Sequence, residues 1–181
     1  MPEKIPSIRN FSLEELSDFL KTHNFPGYRA QQVFEWIWKK NVGSFDEMKN
    51  ISKELQSFLN AKLMIDKVEV TDQQISKDKT IKCAFSIDEN SVVEGVLIPT
   101  SKRMTACISS QVGCSLACTF CATGKLKLLR NLSIGEIYDQ VFHLKKEAQN
   151  RHQKSLSNIV YMGMGEPLLN YRNVLGSIEW I

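Results

Sequence analysis

The chain has 181 residues, 43% of them hydrophobic and 24% charged, with a formal charge of +3. That is enough for one ordinary domain, or a small domain plus part of a larger one, in a globular and soluble protein; the charge is too small to name a partner. No apolar run approaches the roughly 20 residues of a membrane span, and the first ten residues lack the apolar core of a signal peptide, so the expected compartment is the cytoplasm.

The first third reads as helical. Ser12 and Glu15 form a capping-box pair ahead of Leu13, Leu16, Phe19 and Leu20, while Ala30, Val33, Phe34, Ile37 and Trp38 recur at helical spacing. Leu55, Phe58 and Leu59 predict a third helix after Ser52, giving a small bundle over residues 1–65. From Lys67 the period changes to two. Ile81, Cys83, Phe85 and Ile87 alternate with polar or small neighbours, residues 88–91 supply turn types, and 92–98 returns as a second strand, so a hairpin within 66–99 links two domains. Cys83 falls on the apolar face and reads as a packed thiol.

Residues 100–181 predict strand, loop, helix, strand, helix. A strand near 104–109 feeds a cysteine-rich loop, Ser133 and Glu136 cap a helix with Ile134, Ile137, Tyr138, Val141 and Phe142 on one side, and 158–162 forms a further strand. This order predicts an α/β fold with a parallel sheet and right-handed crossovers, unfinished at two units. Lys125, Lys127, Arg130, Lys145, Lys146, Arg151 and Lys154 concentrate positive charge here; that stretch suits phosphates, or is a solvated helix face.

Five cysteines, four of them between 107 and 121, do not suit a framework of secreted disulfides; metal or redox chemistry fits better. Cys114, Cys118 and Cys121 are spaced C-x3-C-x2-C, so three thiolates can hold three irons of a cubane and leave the fourth open to a substrate. The competing reading is a structural zinc site with Cys107 as fourth ligand, although zinc modules generally present two separated pairs. Gly163-Met164-Gly165-Glu166-Pro167 follows the second strand; its glycines let a ligand approach the backbone, and the Glu166 carboxylate suits an ammonium group. A lone Gly-x-Gly is also an ordinary turn. Glu94, between apolar residues on both faces of its strand, is expected to be buried, with a raised pKa suited to proton transfer, or else paired with a cation such as Arg103. Cys107 is either a buried small hydrophobe or, near a redox cluster, a reactive thiol.

Together these residues resemble the radical S-adenosylmethionine (SAM) adenine-C2 methyltransferases of ribosomal and transfer RNA, the RlmN/Cfr family. The likeness runs in order through residues 28–33, Trp36-Ile37, 94–99, Cys107-Ile108-Ser109-Ser110-Gln111-Val112-Gly113-Cys114, 118–124, Arg130-Asn131-Leu132 and 163–168. The resemblance implies a helical accessory domain of RNA-binding type followed by the first two units of a partial (βα)6 radical-SAM barrel. It also implies a 4Fe-4S cluster on Cys114, Cys118 and Cys121, and SAM held by Gly165, Glu166 and Pro167. One SAM methylates a carrier cysteine; a second is cleaved to a 5'-deoxyadenosyl radical that activates the methylcysteine toward carbon 2 of adenine.

By position Glu94 then matches the family's proton acceptor, and Cys107 the thiol that resolves the protein–RNA crosslink through a disulfide with the carrier. The implied partners are 23S rRNA, tRNA and an external electron donor such as flavodoxin, with no membrane and a monomeric state. Lys127 departs from the family's usual glycine. No cysteine follows Cys121 to serve as carrier, so the chain is expected to be an amino-terminal fragment without turnover of its own. The related adenine carbon-8 methyltransferase and a zinc-stapled RNA-binding module are the alternatives.

Overall fold

A computed structural model describes residues 5–181, in two compact units that divide between Asp66 and Lys67. The first four residues of the expected helical domain lie outside the described residues.

The amino-terminal unit is built from α1 (Leu13–Thr22), α2 (Arg29–Phe34) and α3 (Lys53–Lys62). The Ser12/Glu15 capping box is formed in full, and Ser52 caps α3 through the Leu55 N–H. Leu16, Leu20, Val33, Ile37, Leu55 and Leu59 are buried, each worth about 1.5–3 kcal/mol of burial. The second predicted helix does not stay α-helical: over Glu35–Lys39 it widens into a π turn that keeps Ile37 and Trp38 inside.

The second unit is one five-stranded sheet in the order β1-β2-β3-β4-β7, with a two-stranded ribbon beside it. Its strands are β1 (Glu69–Ile75), β2 (Ile81–Asp88), β3 (Ser91–Pro99), β4 (Met104–Cys107) and β7 (Asn158–Val160); the ribbon pairs β5 (Gln111–Val112) with β6 (Arg130–Asn131). Two helices, α4 (Ile134–His152) and α5 (Tyr171–Ile178), complete it.

The fold is therefore α/β, and the two strands expected to pair in parallel do so, but the hairpin expected to link two domains joins the same sheet and makes it mixed. Only β4 and β7 pair parallel; β1, β2, β3 and β4 are successively antiparallel. The cause is local. Thr100 N–H bonds to Arg103 O at 2.8 Å, and a turn that short can only reverse the chain, so the predicted hairpin runs on into β4. The crossover from β4 to β7 through α4 has the length a parallel pair requires.

One face of the sheet carries Ile81, Cys83, Phe85, Val93, Leu97, Met104 and Ala106, which form a core with Ile137, Val141, Leu144 and Ala148 of α4 and Val174 of α5. The opposite face carries Val92 and Ile98, 50% and 37% exposed. The Ser133/Glu136 box opens α4 as predicted, and the Arg130 guanidinium grips both Glu136 oxygens at 2.9 and 2.8 Å while reaching Asp88 at 3.0 Å. Those carboxylates hold the Arg130 pKa above its already high ordinary value, opposed only by partial burial. Arg130 thus belongs to the scaffold, as does Arg151, which pairs with Glu147 at 2.6 Å; Lys125, Lys127, Lys145, Lys146 and Lys154 remain exposed.

Candidate functional site

The carboxyl ends of β4 and β7 lie side by side, in register from Thr105↔Asn158 to Cys107↔Val160. From β4 the chain passes through Ile108, Ser109 and Ser110, all buried, into β5; from β7 it passes into the glycine loop. The two segments are stitched together. Gly163 N–H bonds to Ile108 O at 2.9 Å, Ser110 N–H to Met164 O at 2.9 Å, and Met164 N–H to Ser109 Oγ at 2.8 Å.

Ser109 Oγ in turn donates to Glu94 O at 2.6 Å, and its backbone N–H and C=O are both held by the fully buried amide of Gln140. Asn170 donates to Ser110 O and Leu132 O, each at 2.8 Å. The structure thus brings Glu94, Cys107 and the Gly163–Pro167 loop together around the carboxyl end of β4, although they lie far apart in the chain.

The three clustered cysteines sit on the loop between β5 and β6. Its ends are clipped by Leu129 N–H to Val112 O at 2.9 Å and Leu132 N–H to Ser110 O at 3.1 Å. Gly113 opens the loop at φ 76°, with the Lys127 carbonyl where a side chain would stand. Among the described residues no three Cys, His, Asp or Glu side chains are gathered closely enough to bind a metal ion. The donor set nevertheless fits thiolate ligation. All three cysteines are free, Cys118 is exposed and the others half-exposed, and Leu116 N–H points at Cys114 Sγ at 3.4 Å. The amide N–H groups of Gly124 and then Thr123 hold the Cys121 thiol below its ordinary pKa, favouring the form that binds iron.

Glu94 corrects one expectation. It is not buried: its carboxylate is 52% exposed, and its partner is a cation, as the alternative reading expected, but Lys82, with Nζ at 3.0 Å, in place of Arg103. The apolar neighbours misled because only one face of β3 is covered. Cys107 stands on the same open face, opposite Val96 of β3. Partial burial pushes its thiol pKa up, against a hydrogen bond from the Met162 amide that pulls the other way. Cys83 is fully buried, as the alternation predicts, and takes no part.

Glu166 directs its carboxylate to the Leu168 N–H at 3.1 Å and so caps the 3-10 turn Pro167–Asn170, whose first residue is proline. Gly165, at φ 91°, packs its Cα against the Gln111 side chain, where an added Cβ would lie 2.5 Å from Gln111 Cβ. Sequence reasoning quoted Ser109 and Gln111 only as part of the family likeness and passed over Gln140 and Asn170. The first two and Asn170 are buried polar residues near a cysteine or glycine motif, a combination that signals a bonded network, whereas Gln140 lies mid-helix with no such signal.

In fold the chain is of the radical SAM methyltransferase class. It superposes on the crystal structure of a radical SAM methyltransferase from Sphaerobacter thermophilus with a TM-score of 0.82 and 34% identity, over 97% of this chain and 51% of that one. In sequence the chain is similar to the RlmN methyltransferases. Residues 7–65 match the model for the ribosomal RNA large subunit methyltransferase N-terminal domain. Probable dual-specificity RNA methyltransferases RlmN of Cytophaga hutchinsonii and Flavobacterium johnsoniae are 52% and 49% identical, over 95% and 96% of this chain. The chain spans about half the length of these relatives, 47% and 50% respectively.

Proposed function

We propose that this chain carries the RNA-docking helical unit and the cluster-binding edge of a cytoplasmic radical-SAM methyltransferase that modifies carbon 2 of an adenine in 23S rRNA and in tRNA. The observation that carries the reading is the C-x3-C-x2-C loop, clipped at its base, beside the Gly163–Pro167 loop at the carboxyl ends of two parallel strands, where α/β folds place their sites. The sequence identity to dual-specificity RNA methyltransferases supports RNA as the substrate.

Cys114, Cys118 and Cys121 would hold a 4Fe-4S cluster, and Gly165, Glu166 and Pro167 the SAM. A bound cluster supplies the electron that cleaves SAM. The protein's own part is positional. Backbone amides favour the thiolate at Cys121, and Gly163 and Gly165 let the glycine loop pack directly on Ile108 and Gln111. Glu94, open to solvent on the uncovered face, is placed to accept a proton at its carboxylate once Lys82 yields. Cys107, next in the chain to Ile108, whose carbonyl holds Gly163, presents a protonated thiol on the same face. The sheet from β4 onward is read as the first part of a (βα)6 barrel. The electron donor is expected to be a flavodoxin-type protein, and the chain to act as a monomer.

Anaerobic reconstitution with iron and sulfide tests the reading. The expected result is a brown protein with about four iron and four sulfide per chain. Stoichiometric zinc without iron would overturn it.

A further inference from the structure

Gln111 lies three residues before the first clustered cysteine and is fully buried. Its side chain spans three segments. Oε1 accepts from the Glu166 N–H at 2.8 Å, Nε2 donates to Asn131 Oδ1 at 2.8 Å, and its Cβ and Cγ form the wall against which Gly165 packs. Asn131 stands on β6, where the cysteine loop returns, and its own Nδ2 faces Leu169 O at 3.4 Å. Gln111 therefore touches the entry of the cysteine loop, its exit, and the glycine loop at the residue proposed to meet SAM. Ser109 and Ser110 hold the same glycine loop only at Met164, two residues earlier. Gln111 makes the direct bond to Glu166, and only further along do Asn131 to Leu169 O and Asn170 to Leu132 O join the same segment to the base of the cysteine loop.

We propose that Gln111 is a positioning residue, which sets the separation between the cluster loop and the Gly165–Glu166 backbone so that one ligand can meet both. This rests on the function proposed above. A glutamine suits the task because its amide supplies an acceptor and donors on one rigid plane, and burial makes each bond costly to leave unmade.

The test uses Gln111→Met, which keeps the wall under Gly165 and removes both hydrogen bonds, and Gln111→Glu, which keeps an acceptor for the Glu166 N–H while Asn131 turns its amide to the carboxylate. The 181-residue chain and both variants are reconstituted anaerobically, assayed for iron, reduced, and titrated with SAM while the electron paramagnetic resonance spectrum of the cluster is followed.

The expected result is unchanged iron in all three, SAM binding about tenfold to a hundredfold weaker in Gln111→Met, and binding within about threefold of the parent in Gln111→Glu. Equal SAM affinity in Gln111→Met and the parent overturns the proposal. So does iron lost in step with SAM binding, which marks a purely structural role, or a Gln111→Glu chain no better than Gln111→Met. A parent chain that takes zinc and no iron defeats the functional reading itself, and this proposal with it.

Discussion

Replacing Gly113 by alanine tests whether the cysteine loop owes its shape to one backbone position. At φ 76° an L-residue loses about 1–2 kcal/mol against its preferred conformations. The larger effect is steric. An added Cβ would lie 2.9 Å from the Lys127 carbonyl carbon and closer still to its oxygen, and 3.3 Å from Leu128 Cα, all of them backbone atoms that no rotamer change can move aside. The return of the loop must shift, and with it the Leu129–Val112 bond and the placement of Cys114 next door.

Together these effects cost about 3 kcal/mol, at the upper end of ordinary single substitutions, concentrated on the loop rather than the core. The assay is iron and sulfide content after anaerobic reconstitution, with thermal unfolding alongside; iron uptake falls several-fold while the melting temperature moves by a few degrees. Gly27→Ala is the control, because its added Cβ meets only the flexible end of the Lys21 side chain and Ser17 Oγ. A Gly113→Ala chain that takes up iron as the parent does would refute this account of the loop.

Removing the buried amide in Gln140→Ala strands the Ser109 N–H and C=O, and is expected to cost about 1–3 kcal/mol in urea unfolding, more than an exposed-site change such as Gln149→Ala. Cys107→Ala is expected to retain full iron, since Cys107 lies on β4 and outside the loop; loss of iron would make it a ligand. With its pKa raised by burial, the Cys107 thiol holds less thiolate at neutral pH than an ordinary cysteine. Its alkylation in the native protein should therefore lag behind an unfolded reference and catch up only as pH climbs above the usual thiol range, as read by mass spectrometry of timed samples.

Features that depend on near neighbours in sequence were readable in advance. The boxes at Ser12/Glu15 and Ser133/Glu136, the 88–91 turn and the alternation around Cys83 all follow from side chains within a few residues of one another. What depended on distant partners was not. β1, Glu-Val-Thr-Asp-Gln-Gln-Ile, is an almost wholly exposed edge strand in which the alternation begun at Val68 and Val70 is not sustained, and it is completed because β2 offers it a hydrogen-bonding edge. Glu94 looked buried because its strand is apolar on both sides, yet α4 covers only the side of Val93 and Leu97. The spacing of the three cysteines was plain, whereas Gln111 acquires its meaning only from Glu166, 55 residues away.

The base of the cysteine loop has a consequence for maturation. The clip joining β5 to β6 is made of main-chain bonds and the Gln111–Asn131 amide bond, and the apolar core beneath it contains none of the three cysteines. In a zinc finger the metal is the fold, and an apo chain is unfolded. Here the sheet and α4 are held by their own buried core and hydrogen bonds, none of them made by the three cysteines, so the loop can open and reclose locally while the remainder stays native. A cluster would be installed late, into an already folded protein. Oxygen damage that strips the iron would then leave a refillable scaffold and not an aggregating chain.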